Sequence, residues 1–378
     1  MAYRKTIIEQ FDFTVPKNNM PVVIDDMSLA FHLGIRNKTL WYLLRGSRIA
    51  AGDFGSLYHE GSILKRGKAG KQGKRRLIHI PDPRLKSVQK ALDVRFVQNI
   101  PVGDHVRAYE KGRIPVDTAR MCADKGILLS MDLKNFFGTI RRAWIRRLFL
   151  EQGYSRYVAG LMAQLCCCTT TDTHATPEGK KTIVKTFMPQ GTSVSPSVSN
   201  RVANIRFDHK ILDIANETGW SYFRYSDNIY MAHDDVLPRE TVDAFKQSII
   251  DIINKAGWQV HKIRVTPKWR RQEVLGLVVN EHANVKNTEY RAIRALIHNC
   301  KVDGFESQVT KAKKHIKVSI DNPESLKAHI RGRLSYLGQV LCESRKDKLL
   351  EEFDDAVEAE KLRVEKKWRA EDALDAQA

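Results

Sequence analysis

The stretch Phe223-Arg224-Tyr225-Ser226-Asp227-Asn228-Ile229-Tyr230-Met231-Ala232 decides how this chain is read. Two short runs rich in aromatic and β-branched residues flank Ser226-Asp227-Asn228, and polar turn-formers between strand-like runs predict a tight β-hairpin. That hairpin carries a carboxylate at its tip. An Asp in such a turn ordinarily bonds its own backbone, so a second carboxylate with its own setting is what lifts the site above a plain turn.

The second setting is Ile127-Leu128-Leu129-Ser130-Met131-Asp132-Leu133-Lys134-Asn135-Phe136-Phe137, an apolar run that predicts a buried strand ending on one Asp. A strand end delivers Asp132 to a cleft, where an unpaired carboxylate is costly to desolvate and needs a cation or solvation. Asp132 and Asp227 lie 95 residues apart. If their strands are neighbours they can share two Mg²⁺ ions, as in two-metal phosphoryl and nucleotidyl transfer. Between them Met188-Pro189-Gln190-Gly191-Thr192-Ser193-Val194-Ser195-Pro196 leads into a helix expected from Ser197.

Taken together, the three stretches resemble motifs A, B and C of a reverse transcriptase palm. The similarity extends to Gly73-Lys74-Arg75-Arg76-Leu77-Ile78-His79-Ile80-Pro81 with Pro83-Arg84-Leu85-Lys86-Ser87-Val88-Gln89, which resembles the fingers of bacterial reverse transcriptases. Val274-Leu275-Gly276-Leu277-Val278-Val279-Asn280 stands where retron enzymes usually carry a Val-Thr-Gly segment. The match runs over roughly residues 25 to 340 and is closest to retron and defence-associated enzymes. One departure stands at the hairpin tip, where the family pattern is Tyr-x-Asp-Asp and the fourth position here is Asn228.

The resemblance implies an α+β right-hand polymerase fold. Its parts would be an N-terminal arm with helices (1–60), fingers (61–128), a palm of antiparallel sheet plus helices (129–280), a helical thumb (281–345) and a charged C-terminal helix or tail (346–378). It implies two Mg²⁺ ions held by Asp132, Leu133 and Asp227, with Asp132, Asp227 and Asn228 as the catalytic set. Asn228 keeps an amide oxygen able to interact weakly with Mg²⁺. Arg75 and a nearby lysine, Lys68, would grip the triphosphate, with Arg76 on the opposite face nearer the template. Phe137 would stand under the sugar and reject a 2′-hydroxyl, and Gln190 and Gly191 would meet the nascent base pair. Arg113, Leu275, Gly276, Arg291 and Arg294 are expected at nucleic acid. A motif D cation belongs at Lys262 or Arg264, and the spacing does not choose between them.

Composition agrees with such partners. The 378 residues carry 63 Lys+Arg against 44 Asp+Glu, a net +19, which implies a polyanion. No apolar run approaches the roughly 20 residues that span a bilayer, and Met1-Ala2-Tyr3-Arg4-Lys5 opens no signal-peptide core, so no membrane partner and a cytoplasmic location are expected. Six cysteines show no zinc spacing, and Cys166-Cys167-Cys168 predicts a buried helix end. Between Lys65 and Arg76, seven basic residues interleave with Gly67, Gly70 and Gly73, supplying charge and close backbone approach for phosphate.

Elsewhere the patterning predicts helices from Asp25 or Asp26 to Gly34, over Lys38–Leu44, Pro83–Asn99, Asp117–Ala123, Arg141–Cys168 and Thr241–Ala256, and basic helices beyond Asn287. The polar segment Thr169–Lys181 is expected as a loop, and Trp368 as the large anchor of the charged C-terminal stretch. No RNase H, endonuclease or maturase domain is expected in this length.

The function expected is RNA-directed DNA synthesis from deoxynucleoside triphosphates on a noncoding RNA template in antiphage defence. A partner protein, a second reverse transcriptase or a homo-oligomer would fit beside it. Two other readings stay open on sequence alone: untemplated or protein-templated DNA synthesis at the same site, and an RNA-binding polymerase fold whose chemistry Asn228 has weakened.

Overall fold

The computed structural model describes residues 16–64, 73–176, 179–315 and 320–375. The N-terminal arm before residue 16 and the glycine-interleaved loop that carries Lys68 lie outside the described residues. The chain forms two compact units, one holding residues 1–114 and 126–265 and the other holding 115–125 and 266–378. The cuts differ from the expected boundaries, because residues 115–125 cluster away from the fingers and residues 266–280 away from the palm.

The first unit opens with α1 (Asp26–Leu33) and α2 (Asn37–Gly46). Asp25 caps α1 with a reciprocal box, its carboxylate accepting from the Ser28 backbone amide at 2.8 Å. A hairpin of β1 (Tyr58–Leu64) and β2 (Arg75–Pro81) precedes α3 (Pro83–Arg95), which gives way to a short 3₁₀ turn at Val97–Asn99. In the second unit, α4 (Pro115–Met121) stands by itself in sequence.

β3 (Ile127–Leu133) is buried along nearly all its length, as its apolar run dictates. A single turn, α5 (Phe136–Thr139), follows. The expected helix over Arg141–Cys168 is two helices, α6 (Arg142–Glu151) and α7 (Arg156–Leu165). The break is a Schellman closure: Gly153 takes φ +99°, and the Tyr154 amide returns to the Phe149 carbonyl at 3.3 Å. Ser155 then caps α7 by accepting from the Val158 amide at 3.2 Å. Cys166–Cys168 are buried, and burial pushes the Cys167 and Cys168 thiols up to about 12, so they are packing groups.

The expected loop at Thr169–Lys181 is instead a hairpin, β4 (Cys168–Thr176) with β5 (Gly179–Phe187). Its β-branched residues, Thr169-Thr170-Thr171 facing Val184-Lys185-Thr186, favour strand over coil. Next come α8 (Ser195–Ala203), a π turn at Asn204–Asp208 and α9 (His209–Glu217). β6 (Ser221–Tyr225) and β7 (Asn228–His233) form the expected hairpin, and α10 (Arg239–Lys255) covers the sheet through Val242, Phe245, Ile249 and Ile253. Trp220 stacks on Phe245 at 4.5 Å. α10 ends at Gly257, which has φ +99°; an added Cβ would meet the Trp144 ring at 2.8 Å. With β8 (Val260–Pro267) the sheet order is β6-β7-β3-β8, antiparallel between β6, β7 and β3.

The second unit continues with β9 (Glu273–Val274), β10 (Leu277–Val278) and helices α11 (Asn287–Asp303), α12 (Phe305–His315), α13 (Pro323–Leu337) and α14 (Glu343–Asp375). Ile293, Ile297, Phe305, Leu326, Leu334 and Phe353 are buried in it. Trp368 is not the anchor expected, since it is 63% exposed, while Leu349, Phe353 and Ala356 pin α14. Among the described residues no helix is long and apolar enough to cross a membrane.

Candidate active site

Strand pairing brings the two carboxylates together. The register of β3 on β7 sets Asp132 opposite Asn228, and the two-residue turn Ser226-Asp227 closes β6 on β7. The Leu133 amide donates to the Asp227 carbonyl at 2.9 Å, so motif A's strand end is sewn to the hairpin tip. Both carboxylates are partly buried. Burial pushes the Asp227 carboxyl up and the Asp132 charge adds to it, while Arg76 and the Asn228 amide pull it back. The Asn228 Nδ2 donates to Asp227 Oδ1 at 3.0 Å, so the residue that departs from the family pattern orients its neighbour.

Two crowded like charges in a partly buried setting are a donor set suited to a divalent cation. Among the described residues no group of three or more His, Cys, Asp or Glu is placed to hold a metal.

The turn is strained and held from below. Ser226 is buried with φ +60°, a conformation rare outside glycine and asparagine. The Tyr109 hydroxyl lies 3.1 Å from Ser226 Oγ, and Arg224 Nη1 donates to the Ser226 carbonyl at 3.4 Å. Arg224 is fully buried and paired with fully buried Asp208, through Nε at 2.9 Å and Nη2 at 2.7 Å. Burial would raise Asp208, but Arg224 holds its carboxyl well below the usual carboxylate range. Tyr222 donates to Asp208 at 2.6 Å, and Arg224 donates to Asn200 Oδ1 at 3.0 Å. Asn200 continues to the Ala108 carbonyl at 2.7 Å and to Glu110 at 2.8 Å, and Arg201 pairs with Glu110.

Sequence reasoning missed this network. Its signal was parity: Tyr222 and Arg224 share the buried face of β6, and a charged residue there demands a partner.

Phe137 is partly buried, 5.5 Å from the Phe136 ring and 6.5 Å from that of Tyr109. Phe136 in turn is backed by Trp258, which stacks on it at 6.0 Å and donates from Nε1 to the Phe136 carbonyl at 3.0 Å. The Gln190 carbonyl accepts from the His79 amide at 2.9 Å, joining motif B to β2. Gly191 has φ +117°, and a Cβ there would stand 3.1 Å from the His79 carbonyl, so only glycine fits the approach.

Arg75 is tied across its own hairpin to Ser62, at 2.7 Å to Oγ and 2.9 Å to the carbonyl, whereas the charge of Arg76 is felt at Asp227. Lys68 lies outside the described residues. Lys262 and Arg264 are exposed two residues apart on β8, hence on one face, so the choice between them stays open.

Arg113 is turned inward, against expectation, donating to the carbonyls of Gly103 at 2.8 Å and Val106 and to Asp104 at 3.1 Å; it shapes its own loop. In the second unit, Leu275 (φ +50°) and Gly276 (φ +90°) form the two-residue turn between β9 and β10, the φ pattern of a type I′ turn. Arg294 is half-spent on Glu352, at 2.9 Å, while Arg291 lines the same groove with His298 and Lys301 and has no ion pair among the described residues.

The chain is 26% identical over 268 residues to the retron Mx65 reverse transcriptase of Myxococcus xanthus, 69% of this chain and 57% of that protein. It is 27% identical over 254 residues to the retron Mx162 reverse transcriptase of the same organism (61% and 51%), and 23% over 233 residues to the retron Ec86 reverse transcriptase of Escherichia coli (61% and 67%). It thus spans about half the length of the two Myxococcus relatives. A solved telomerase from Candida albicans with a fragment of telomeric RNA aligns at 10% identity and TM-score 0.43, over 80% of this chain and 61% of that one. With residues 63–278 matching the family model over more than half of its length, the chain belongs to the reverse transcriptase (RNA-dependent DNA polymerase) family.

Proposed function

We propose that this chain synthesises DNA from deoxynucleoside triphosphates on an RNA template, at the centre formed by Asp132 and Asp227. The observation that carries the reading is the register that sets these two partly buried carboxylates on adjacent strand ends, where the charge of Asp132 adds to the need for a cation at Asp227. Asp132, Asp227 and the Leu133 carbonyl would hold Mg²⁺. When bound, Mg²⁺ supplies charge stabilisation for the attacking and leaving oxygens of an in-line displacement. Asn228 keeps the Asp227 carboxylate aimed, which argues against a decayed site. Arg76 is the arginine whose charge reaches the centre, and it rather than Arg75 would meet the triphosphate.

The Phe137 ring, seated on Phe136, would fill the space a 2′-hydroxyl needs. Phe137→Ala is therefore expected to raise ribonucleotide use relative to deoxynucleotide use roughly ten- to a hundredfold, measured as the ratio of kcat/KM values. Equal use of both by the unaltered enzyme would overturn the deoxynucleotide assignment.

Nucleic-acid binding should be strongly salt-dependent, because basic residues release condensed counterions from phosphates. Arg291→Ala is expected to reduce the slope of log K against log salt by about one, and Arg294→Ala by less, since Glu352 already neutralises part of it. A flat plot would remove nucleic acid as the main partner. By likeness to retron enzymes, the template is proposed to be a noncoding RNA and the setting antiphage defence; sequencing copurifying nucleic acid, and plating phage on cells carrying Asp132→Ala, test the two claims.

A further inference from the structure

Tyr109 stands out among the residues around the site. Its φ is +62°, a region that bulky side chains avoid. Burial does not offset that strain, because Tyr109 is 49% exposed. The strain is imposed by both neighbours. The Ala108 carbonyl is held by Asn200 at 2.7 Å, and Glu110 is held by Asn200 and Arg201. One residue earlier, the Arg107 amide is fixed to the Arg224 carbonyl at 2.8 Å. The buried network thus clamps the backbone on either side and presents one aromatic ring outward.

That ring meets two features already described. Its hydroxyl lies 3.1 Å from Ser226 Oγ, in the turn that carries Asp227, and its centroid lies 6.5 Å from that of Phe137 at an interplanar angle of 51°. Phe137 is flanked by Phe136 as well, so its ring is confined by two aromatic neighbours.

We propose that Tyr109 is a positioning residue for sugar discrimination: its ring braces Phe137, and its hydroxyl steadies the Ser226-Asp227 turn. The inference rests on the reading of Phe137 as the group that excludes the 2′-hydroxyl. Ring and hydroxyl make separable contributions. Without the brace, Phe137 can swing from its place and admit a ribonucleotide; without the hydroxyl bond, the turn loosens and turnover falls while the sugar is still discriminated.

The experiment compares Tyr109→Ala, Tyr109→Phe, Phe137→Ala and the Tyr109→Ala/Phe137→Ala double variant. Steady-state kcat and KM are measured for a deoxynucleoside triphosphate and its ribonucleotide counterpart on one RNA template with a DNA primer. Tyr109→Ala is expected to lower the deoxy-over-ribo preference roughly tenfold, mainly through the ribonucleotide KM. Tyr109→Phe should keep that preference within about twofold of wild type and lower kcat severalfold. The double variant should discriminate no worse than Phe137→Ala alone, because residues acting through one another are non-additive.

Wild-type preference in Tyr109→Ala, alongside loss of preference in Phe137→Ala, would overturn the role of Tyr109 and leave Phe137 standing. Unaltered preference in Phe137→Ala would overturn both. Equal loss in Tyr109→Phe and Tyr109→Ala would overturn the division between ring and hydroxyl, and additive losses in the double variant would overturn action through Phe137.

Discussion

Asp227→Asn should lower Mg²⁺-dependent nucleotide incorporation by about a thousandfold or more. A lost carboxylate donor forfeits several kcal/mol of transition-state charge stabilisation, and each ~1.4 kcal/mol is a factor of ten in rate. The amide keeps the shape of the side chain, so the loss reads charge. Stability should move the opposite way. Burial and Asp132 raise the Asp227 carboxyl above its unfolded value. Its folded-state advantage is therefore full below the ordinary carboxylate range and is lost as pH rises through the raised value. In EDTA near pH 7–8 the Asn variant should melt at or above the wild-type temperature, and that gain should vanish toward about pH 4. Wild-type incorporation by the variant would remove Asp227 from the centre. Asn228→Asp probes the same balance, since a third carboxylate should lower the melting temperature in EDTA and sharpen the response to Mg²⁺.

How much of this was legible follows from how local each signal is. The hairpin at Ser226-Asp227, the apolar strand ending at Asp132 and the α10 stripe at Val242, Phe245, Ile249 and Ile253 are set by alternation and helical spacing within a dozen residues. The division at Gly153 and the Thr-rich hairpin were also written locally, in a C-terminal glycine and in β-branched residues, but polar composition outweighed them.

Partner choice was not legible. Whether a strand arginine is spent within its own hairpin depends on its cross-strand neighbour; Ser62 claims Arg75. Arg113 is expected at nucleic acid, yet the carbonyls of Gly103 and Val106 accept from it, and Arg294 pairs with Glu352, 58 residues on. A basic side chain announces charge in the sequence, and only the fold says which acceptor gets it first.

The Arg224–Asp208 pair should carry the largest stability effect. Asp208→Asn leaves a fully buried guanidinium without its countercharge, and breaking such a pair by removing one partner costs about 3–5 kcal/mol. For a unit of this size each kcal/mol is worth about 2–4 °C, so melting should fall by roughly 10 °C. Because Arg224 holds the Asp208 carboxyl far below its unfolded value, the pair's contribution is present above about pH 4 and is lost as pH falls through the depressed value. The difference between wild type and Asp208→Asn should shrink in strong acid, and His105, whose Nε2 lies 3.7 Å from Asp208 Oδ2, is the other group that faces this carboxylate. An Asp208→Leu/Arg224→Met double variant should recover much of the lost stability, since apolar replacements of similar volume leave no orphaned charge. It should not recover activity, because Arg224 also reaches the carbonyl of strained Ser226 and, through Asn200, the backbone beside Tyr109. A double variant that is both stable and fully active would mean the network serves the core alone. Stability regained with turnover still depressed would tie the buried pair to the aim of Asp227.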